Sequence, residues 1–260
     1  RKKNGVYITQ KILNVKKHKT IFMTHSKIIY AIIPARCDSK GVKNKNIKEI
    51  EGKPLISYSI NTAKALNVDK IICSTDSQEY ADIAKKWGAE VPFLRSKKAA
   101  SDSAMEQDIL KDLYNKFKEY NIPQPDYLIW LRPTFVFRDI NAIKKCIESL
   151  NNDPNLSSAR TVCQTESRLY KMEDNIITPD FDDQGKSMIR RQDVPSKYKV
   201  FSTDIIRADK LNTTNDFLGR NVYGIEINQI CGFDIDNYLD FKIVKSLIEN
   251  SKNLVSEYLH

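Results

Sequence analysis

The sequence predicts an α/β protein: a mainly parallel sheet flanked by helices. Three observations point there. Between residues 28 and about 250, apolar stretches of strand length alternate with stretches whose apolar residues recur at helical spacing, the pattern of βαβ units. The first such stretch, Ile28 to Ile33, empties directly into a loop crowded with cations. The chain has 260 residues, 29% of them charged, enough to bury a full core as one domain with an appendage. No apolar run approaches the ~18 residues of a membrane span, and no signal-peptide pattern opens the chain.

The elements follow in order. Ile28 to Ile33 reads as a buried strand. Gly52-Lys53-Pro54 breaks the chain, Pro54 suits a first helical position, and Leu55, Ile56, Ile60 and Ala63 form a helical stripe. Lys70 to Ser74 is the second strand. A helix covers about Gln78 to Lys86, with Gly88 as its C-terminal stop. Val91 to Leu94 is a short extended piece. Ser103-Ala104-Met105-Glu106 fits a capping box that opens a helix bearing Ile109, Leu110, Leu113, Tyr114 and Phe117. Tyr114, Phe117 and Tyr120 read as core rather than as a stacking platform for bases. Tyr127 to Leu131 is a strand, Asp139 to Leu150 a helix, and Ser158 to Val162 a strand. Residues 163–200 break the rhythm and read as an excursion, an arm or hairpin. Strands resume at Phe201 to Ile206 and Val222 to Ile227, and a last helix covers about Tyr238 to Ile248. The expected organisation is a basic extension over residues 1–27, one domain over 28–250 and a short tail over 251–260.

Charge and rare residues narrow the chemistry. The net charge is +9, but residues 1–29 hold eight basic and no acidic side chains, against 34 basic and 33 acidic in the remainder. The body is close to neutral. The leading segment reads as a solvated leader ahead of a nucleic-acid or anionic-surface contact. A start at Met23 would reach the first strand within a few residues, so residues 1–22 read as an extension or the end of an upstream domain. The five cysteines form no CxxC pair, which suits a reducing, cytoplasmic setting better than a disulfide framework or a zinc site. The three histidines are His18, His25 and His260, all outside the expected core. A Ser-His-Asp triad, a Cys-His pair and an HExxH site are excluded on that ground.

Two constellations carry the candidate chemistry. The loop after the first strand holds Arg36, Lys40, Lys43 and Lys45, with Ser39 and Gly41 letting the backbone come close. In an open α/β sheet, ligands bind just past the carboxyl ends of strands. Cations gathered there call for an anionic ligand such as a triphosphate. Neither GxxxxGK[ST] nor GxGxxG is present, so side-chain cations must do most of the holding. The second constellation is Asp234-Ile235-Asp236. Alternate residues of an extended segment face the same side, so two carboxylates could meet at one Mg²⁺, a hard ion that leans on oxygen ligands and substrate phosphates. For Asp236 the cap of the following helix is an equal alternative. Ser74-Thr75-Asp76, Arg95 with Ala100-Ser101-Asp102, and Arg190-Arg191-Gln192 are weaker signals, each of which alone reads as capping or loop polarity.

Taken in order, these stretches resemble the CMP-sugar-acid synthetases, and most closely the acylneuraminate cytidylyltransferases, including those acting on pseudaminic and legionaminic acids. The matching pieces are Ile33-Pro34-Ala35-Arg36, Ser39-Lys40-Gly41, Lys45-Asn46, Gly52-Lys53-Pro54-Leu55, Ser74-Thr75-Asp76, Leu94-Arg95, Ala100-Ser101-Asp102, Leu131, Pro133-Thr134, Arg191-Gln192 and Asp234-Ile235-Asp236. The resemblance implies a Rossmann-like nucleotidyltransferase fold with a dimerisation arm over 163–200, a homodimer, and transfer of CMP from CTP to a 2-keto sugar acid with release of pyrophosphate. It implies Arg36, Ser39, Lys40, Lys45 and Asn46 on the CTP phosphates. Arg95, Ala100 and Ser101 would line the cytosine pocket, Asp234 and Asp236 would hold Mg²⁺, and Arg191 with Gln192 would lie toward the sugar acid. Arg36, Lys45 and Asp234 would carry catalysis. Neither a membrane nor a nucleic acid is an expected partner.

The departures from the family pattern cluster. Leu131-Arg132-Pro133-Thr134-Phe135-Val136 stands where the family has Leu-Gln-Pro-Thr-Ser-Pro, and Phe201-Ser202-Thr203-Asp204-Ile205 where it has Asn-Gly-Ala-Ile-Tyr. Cys37 and Asp38 occupy the usual Gly-Gly positions. The nucleotide half looks intact and the sugar half altered, so the expected acceptor is not ordinary N-acetylneuraminate, with Arg132 gripping an acceptor carboxylate or phosphonate. The competing readings are a non-catalytic nucleotide-binding relative and a nucleic-acid binder acting through residues 1–29.

Overall fold

The computed structural model describes residues 27–37, 41–186, 188–211 and 216–260. The basic extension up to residue 26, and Asp38, Ser39 and Lys40 of the cationic loop, lie outside the described residues. The chain alternates as the apolar pattern requires. Strand β1 (Ile29–Pro34), short strands β2 (Glu49–Ile50) and β3 (Lys53–Pro54), helix α1 (Leu55–Leu66), β4 (Lys70–Ser74) and α2 (Gln78–Lys86) form the first half. Helix α3 (Glu106–Glu119), β5 (Tyr127–Leu131), α4 (Ile140–Asn152) and β6 (Ser158–Thr165) follow. The excursion holds β7 (Tyr170–Glu173), β8 (Ile176–Pro179) and β9 (Lys197–Lys199). The chain then returns through β10 (Thr203–Arg207), α5 (Ala208–Leu211), β11 (Val222–Glu226), α6 (Tyr238–Asn250) and α7 (Lys252–Val255).

Among the described residues the main sheet runs in the order β11-β6-β10-β5-β1-β4, with β9 paired to β6. Strands β4, β1 and β5 pair in parallel, as do β6 and β11; β10 runs antiparallel between β5 and β6. The expectation of a mainly parallel sheet therefore holds, with β10 as its reversed member. Alternate residues of each strand serve opposite faces. Ile33, Ile129, Leu131 and Ile205 pack with Ile56 and Ile60 of α1, Ala84 of α2 and Ile143 and Leu150 of α4. Ile32, Leu128, Trp130 and Ile206 pack instead with Ile109, Leu113 and Phe117 of α3. Helices on both faces are what a buried parallel sheet needs.

Several local expectations are corrected. Pro54 is the N-cap of α1, one position before the first helical turn. The Ser103 box does not form: α3 begins at Glu106, its Met105 N–H is held by Asp108 Oδ2 at 3.0 Å, and Ser103 Oγ lies 3.3 Å from Ser101 Oγ. Residues 91–94 form no strand; the chain beside β4 makes a single bridge, Ile72 to Glu90. Tyr114 and Phe117 are buried as expected, but Tyr120 is not. The excursion is more ordered than polarity alone suggested. Strand β6 extends to Thr165 to pair with β9, and β7–β8 closes as a hairpin over Asp174 and Asn175, both at positive φ. Such a two-residue turn matches the twist of the strands. All eight hairpin residues are exposed, Met172, Ile176 and Ile177 among them. The tail is also structured, with Val255 fully buried beneath α6.

One buried cation ties the site loops together. Arg138 has no exposed surface. Its guanidinium donates to Ser59 Oγ at 3.3 Å, to Phe135 O, to Arg132 O at 2.6 Å and to Ser202 O at 3.4 Å. Its own backbone joins the C-terminal segment through Tyr258 O at 2.9 Å and the His260 ring at 3.1 Å. Burial, then the neighbouring charge of Arg132, holds its pKa below the ordinary guanidinium value. It thus binds the turn after β5 to the residues that lead into β10. Arg138→Leu would leave those acceptors dry and unpaired. We expect it to cost on the order of 3 kcal/mol, seen as a lowered denaturant midpoint; an unchanged midpoint would contradict this role.

Candidate active site

The carboxyl ends of β1, β4 and β5 and the amino end of the reversed β10 share one edge of the sheet, and the candidate site lies there. A pocket of about 260 Å³ is lined by Arg36, Lys45, Asn46, Arg95, Ser101, Glu106, Arg132 and Thr134, with apolar floor residues such as Pro34 and Ile109. Six residues expected in the site from sequence therefore meet in one cavity: Arg36, Lys45, Asn46, Arg95, Ser101 and Arg132. Ala100 does not line it; its N–H is spent on Ser96 O at 3.0 Å. Ser39 and Lys40 lie outside the described residues, and Lys43 points to solvent.

The cationic loop is shaped by its own polar groups. Asn46 is nearly buried, and its amide donates to Arg36 O at 2.9 Å. Asn44 adopts the left-handed conformation just before the helical turn Lys45–Ile47, which asparagine tolerates. Asp76, past β4, accepts from the Cys37 N–H at 2.9 Å and from its thiol at 3.0 Å. Burial opposes the charge on Asp76, but these hydrogen bonds outweigh it and hold its pKa below the usual carboxylate range. Arg36 pairs with Asp102 at 2.7 Å. Arg95 is 6% exposed, with Nε on Ser74 Oγ at 3.1 Å and Nη2 on Ser74 O at 2.6 Å; burial lowers its pKa.

The twin-aspartate segment lies against this loop. Lys45 Nζ donates to Ile235 O at 2.5 Å and sits 3.8 Å from an Asp236 carboxylate oxygen. Gly41 makes the approach possible, because a Cβ there would collide with the Asp236 carbonyl. Ile235 is fully buried in the core beneath α6, and Ile235 N–H donates to Thr134 O at 3.1 Å. Asp234 and Asp236 thus flank a buried residue, and their carboxylates differ in surroundings. Asp236 does not cap α6: Asn237 does, accepting from the N–H groups of Leu239 and Asp240. Asp236 stays largely exposed. Asp234 is half-buried, and its Oδ1 is enclosed without a hydrogen-bond partner. Burial first, then the neighbouring Asp236, raises its pKa, while a hydrogen bond with Thr134 works the other way.

Arg132 is placed differently from expectation. Instead of offering an open guanidinium, it spends Nε on Glu106 Oε1 at 3.0 Å and Nη1 on Phe201 O and buried Asp204, each at 2.8 Å. Arg160 holds the other oxygen of Asp204 at 2.7 Å. Both guanidinium carbons lie 5.3 Å from the centre of the Phe201 ring, whose residue sits at φ +86°, a strained conformation for a side chain of that size. Glu106, Asp204 and Arg160 were missed from sequence, and Thr134 stood there only within the Pro133-Thr134 match. An aspartate inside an apolar strand is a signal that could have marked Asp204, since buried acids are rarely unpaired.

Arg191 and Gln192 do not reach this cavity. Arg191 lines a neighbouring pocket of about 370 Å³ with Thr165, Lys199, Gln229 and Phe233, and its Nη2 lies 3.4 Å from Thr165 O. Phe233, which lines that second pocket, adjoins Asp234 in the chain.

The chain is similar to known proteins. A family described as cytidylyltransferase matches residues 30–231. The chain is 36% identical over 231 residues to the post-translational flagellin modification protein B of Campylobacter coli, covering 87% of this chain and 97% of that one. It is 34% identical to the CMP-N,N'-diacetyllegionaminic acid synthase of Campylobacter jejuni, with the same coverage. A solved CMP:2-keto-3-deoxy-manno-octonic acid synthetase complexed with CTP shares the fold, with a TM-score of 0.62 at 14% identity, covering 86% of this chain and all of that one. Matched over most of its length by that family's model and by relatives of this identity, the chain belongs to the cytidylyltransferase family.

Proposed function

We propose that this protein activates a 2-keto sugar acid with CTP, giving the CMP-sugar acid and pyrophosphate. The observation that carries the reading is the meeting of the cationic loop with the twin aspartates, through Lys45, Gly41 and Asp236. A triphosphate seated there meets Arg36 and Lys45, with Arg95 and Ser101 around the base. The 34%-identical relative bears the name of a CMP-sugar-acid synthase, which supports the same acceptor class here.

The acceptor's anomeric hydroxyl attacks the α-phosphorus. A new P–O bond forms as the bond to the β-phosphate bridging oxygen breaks, and negative charge moves onto pyrophosphate. Arg36 and Lys45 stabilise that charge more in the transition state than in bound CTP. Arg36 must first release Asp102. The pair is part-exposed, and such pairs are worth about 1 kcal/mol or less, so the exchange is easy. Asn46 does not need to touch phosphate to matter, because it fixes the Arg36 backbone.

The aspartates suit a magnesium ion. Asp234 Oδ1 is enclosed and unpartnered, and Asp236 is free of the capping role. Among the described residues no cluster of three or more His, Cys, Asp or Glu side chains could hold a metal alone, so substrate oxygens would complete the shell, as Mg²⁺ favours. When bound, the ion would neutralise phosphate charge and acidify the attacking hydroxyl. The exposed apolar β7–β8 hairpin supports a homodimer, in which a second copy covers Met172, Ile176 and Ile177. No helix of the described residues is long and apolar enough to cross a membrane, and the five cysteines are free thiols, which accords with work in the cytoplasm beside the CTP pool.

The direct experiment follows pyrophosphate release with CTP, Mg²⁺ and a panel of 2-keto sugar acids; tight CTP binding with no release across the panel would favour a binding-only relative. Arg36→Ala is expected to raise the KM for CTP roughly tenfold, and unchanged CTP kinetics would put the phosphates elsewhere. Asp234→Asn should cut turnover by roughly a hundredfold or more while circular dichroism stays native; a near-normal rate would refute the metal role. Ile176→Lys with Ile177→Lys should convert a dimer to a monomer in sedimentation, and an unaltered sedimentation coefficient would exclude the hairpin from the interface.

A further inference from the structure

The two ends of the main sheet differ. At one end β4 is covered, because Glu90 bridges to it: the Cys73 N–H donates to Glu90 O at 3.0 Å, and the Glu90 N–H to Ile71 O at 2.7 Å. At the other end β11 is bare. It pairs with β6 on one side only, and Val222, Tyr223, Gly224 and Glu226 are all exposed. The Ile227 N–H donates to Val162 O at 2.8 Å. By the alternation of a strand, Tyr223 and Ile225 also turn their backbone groups toward β6, and Val222, Gly224 and Glu226 turn theirs outward. Among the described residues no hydrogen bond reaches those outward N–H and C=O groups. An open edge of this kind is a template for another strand.

Two observations say which strand. The first is Gly224. Glycine weakens a strand, and one found there often marks the close approach of another backbone. Nothing within this chain requires it: its φ is not left-handed, and a Cβ would meet only Val162, at 3.9 Å. The second is self-complementarity. When two copies of β11 run antiparallel about Gly224, each Gly224 faces the other, and Val222 of each copy faces Glu226 of the second. These are the outward residues, so their N–H and C=O groups satisfy one another. Between them Tyr223 faces Ile225 of the second copy, and both are partly exposed in the single chain. Arg220, exposed and without a partner among the described residues, comes diagonal to Glu226 of the second copy, within reach of a long side chain. We propose that β11 is a docking edge for a second copy of this chain, the two strands pairing about a dyad at Gly224 so that the two sheets join. The contact is isologous, lies apart from the β7–β8 hairpin, and needs nothing from the catalytic reading.

A strand of five residues is small beside the ~1,200 Å² of a standard interface, so the expected dissociation constant is on the order of 100 µM. The test uses the full chain carrying Ile176→Lys with Ile177→Lys, which removes the hairpin contact and isolates the edge. In sedimentation it should be monomeric at about 1 µM and largely dimeric at about 500 µM. Adding Gly224→Lys, which has room within the chain but sets two cations together at the dyad, should keep it monomeric at both concentrations, with native circular dichroism and a KM for CTP within about twofold of the parent. Gly224→Asp should do the same, and an equal mixture of the Lys and Asp chains should restore the dimer. No association at the higher concentration would overturn the proposal, as would a dimer that survives Gly224→Lys or a mixture that stays monomeric. Should the hairpin substitutions leave a dimer at the lower concentration, its loss with Gly224→Lys would support the edge and its persistence would overturn it.

Discussion

The site depends on one close approach, the seating of the cationic loop on the backbone of residues 234–237. Lys45 reaches the Ile235 carbonyl and Gly41 has no side chain to keep Asp236 away. Positive and negative groups are thereby held within a few ångströms of each other although nearly 200 residues of chain separate them. The sheet supplies the frame, because β1 brings the loop to its carboxyl edge and Thr134, just past β5, pins Ile235 to the same edge. Neither constellation alone would define a reaction. Together they set cations against carboxylates at one edge of the sheet, the juxtaposition on which the proposed reaction rests.

Around that contact, charge is balanced more closely than a count of cations suggests. Arg36 has Asp102, Arg132 has Glu106 and Asp204, Lys45 has Asp236, and Arg160 shares Asp204. These pairs differ in consequence. The exposed Arg36 pair can be exchanged for a ligand at small cost, whereas the pairs on buried Asp204 cannot be opened without stranding a carboxylate in the interior. The exchangeable charge therefore lies on Arg36, and the fixed charge is gathered around Asp204.

The fold was largely legible in the sequence, because β4, α2 and β5 are each bounded where apolar period and turn residues change together. The meeting of Arg36, Lys45, Asn46, Arg95 and Ser101 in one pocket was legible for the same reason, these residues lying within short motifs behind strands. The contacts of Arg132 were not. Arg132 meets Asp204 across the antiparallel pairing of β5 with β10, and local pattern does not reveal that a long excursion returns as the reversed strand between β5 and β6. Arg138 was passed over since an arginine before a helix reads as solvated, and only the packed tail shows it sealed from water. Ser103 gave a correct helix in the wrong register, since Asp108 outcompetes it by reaching back to Met105.

The C-terminal segment has a consequence beyond packing. Tyr258 and His260 grasp the main chain of Arg138, whose side chain in turn gathers the carbonyls of Arg132, Phe135 and Ser202 beside the pocket. Whatever weakens the hold of Tyr258 and His260 on Arg138 would thus slacken the Arg132 loop without touching the pocket itself.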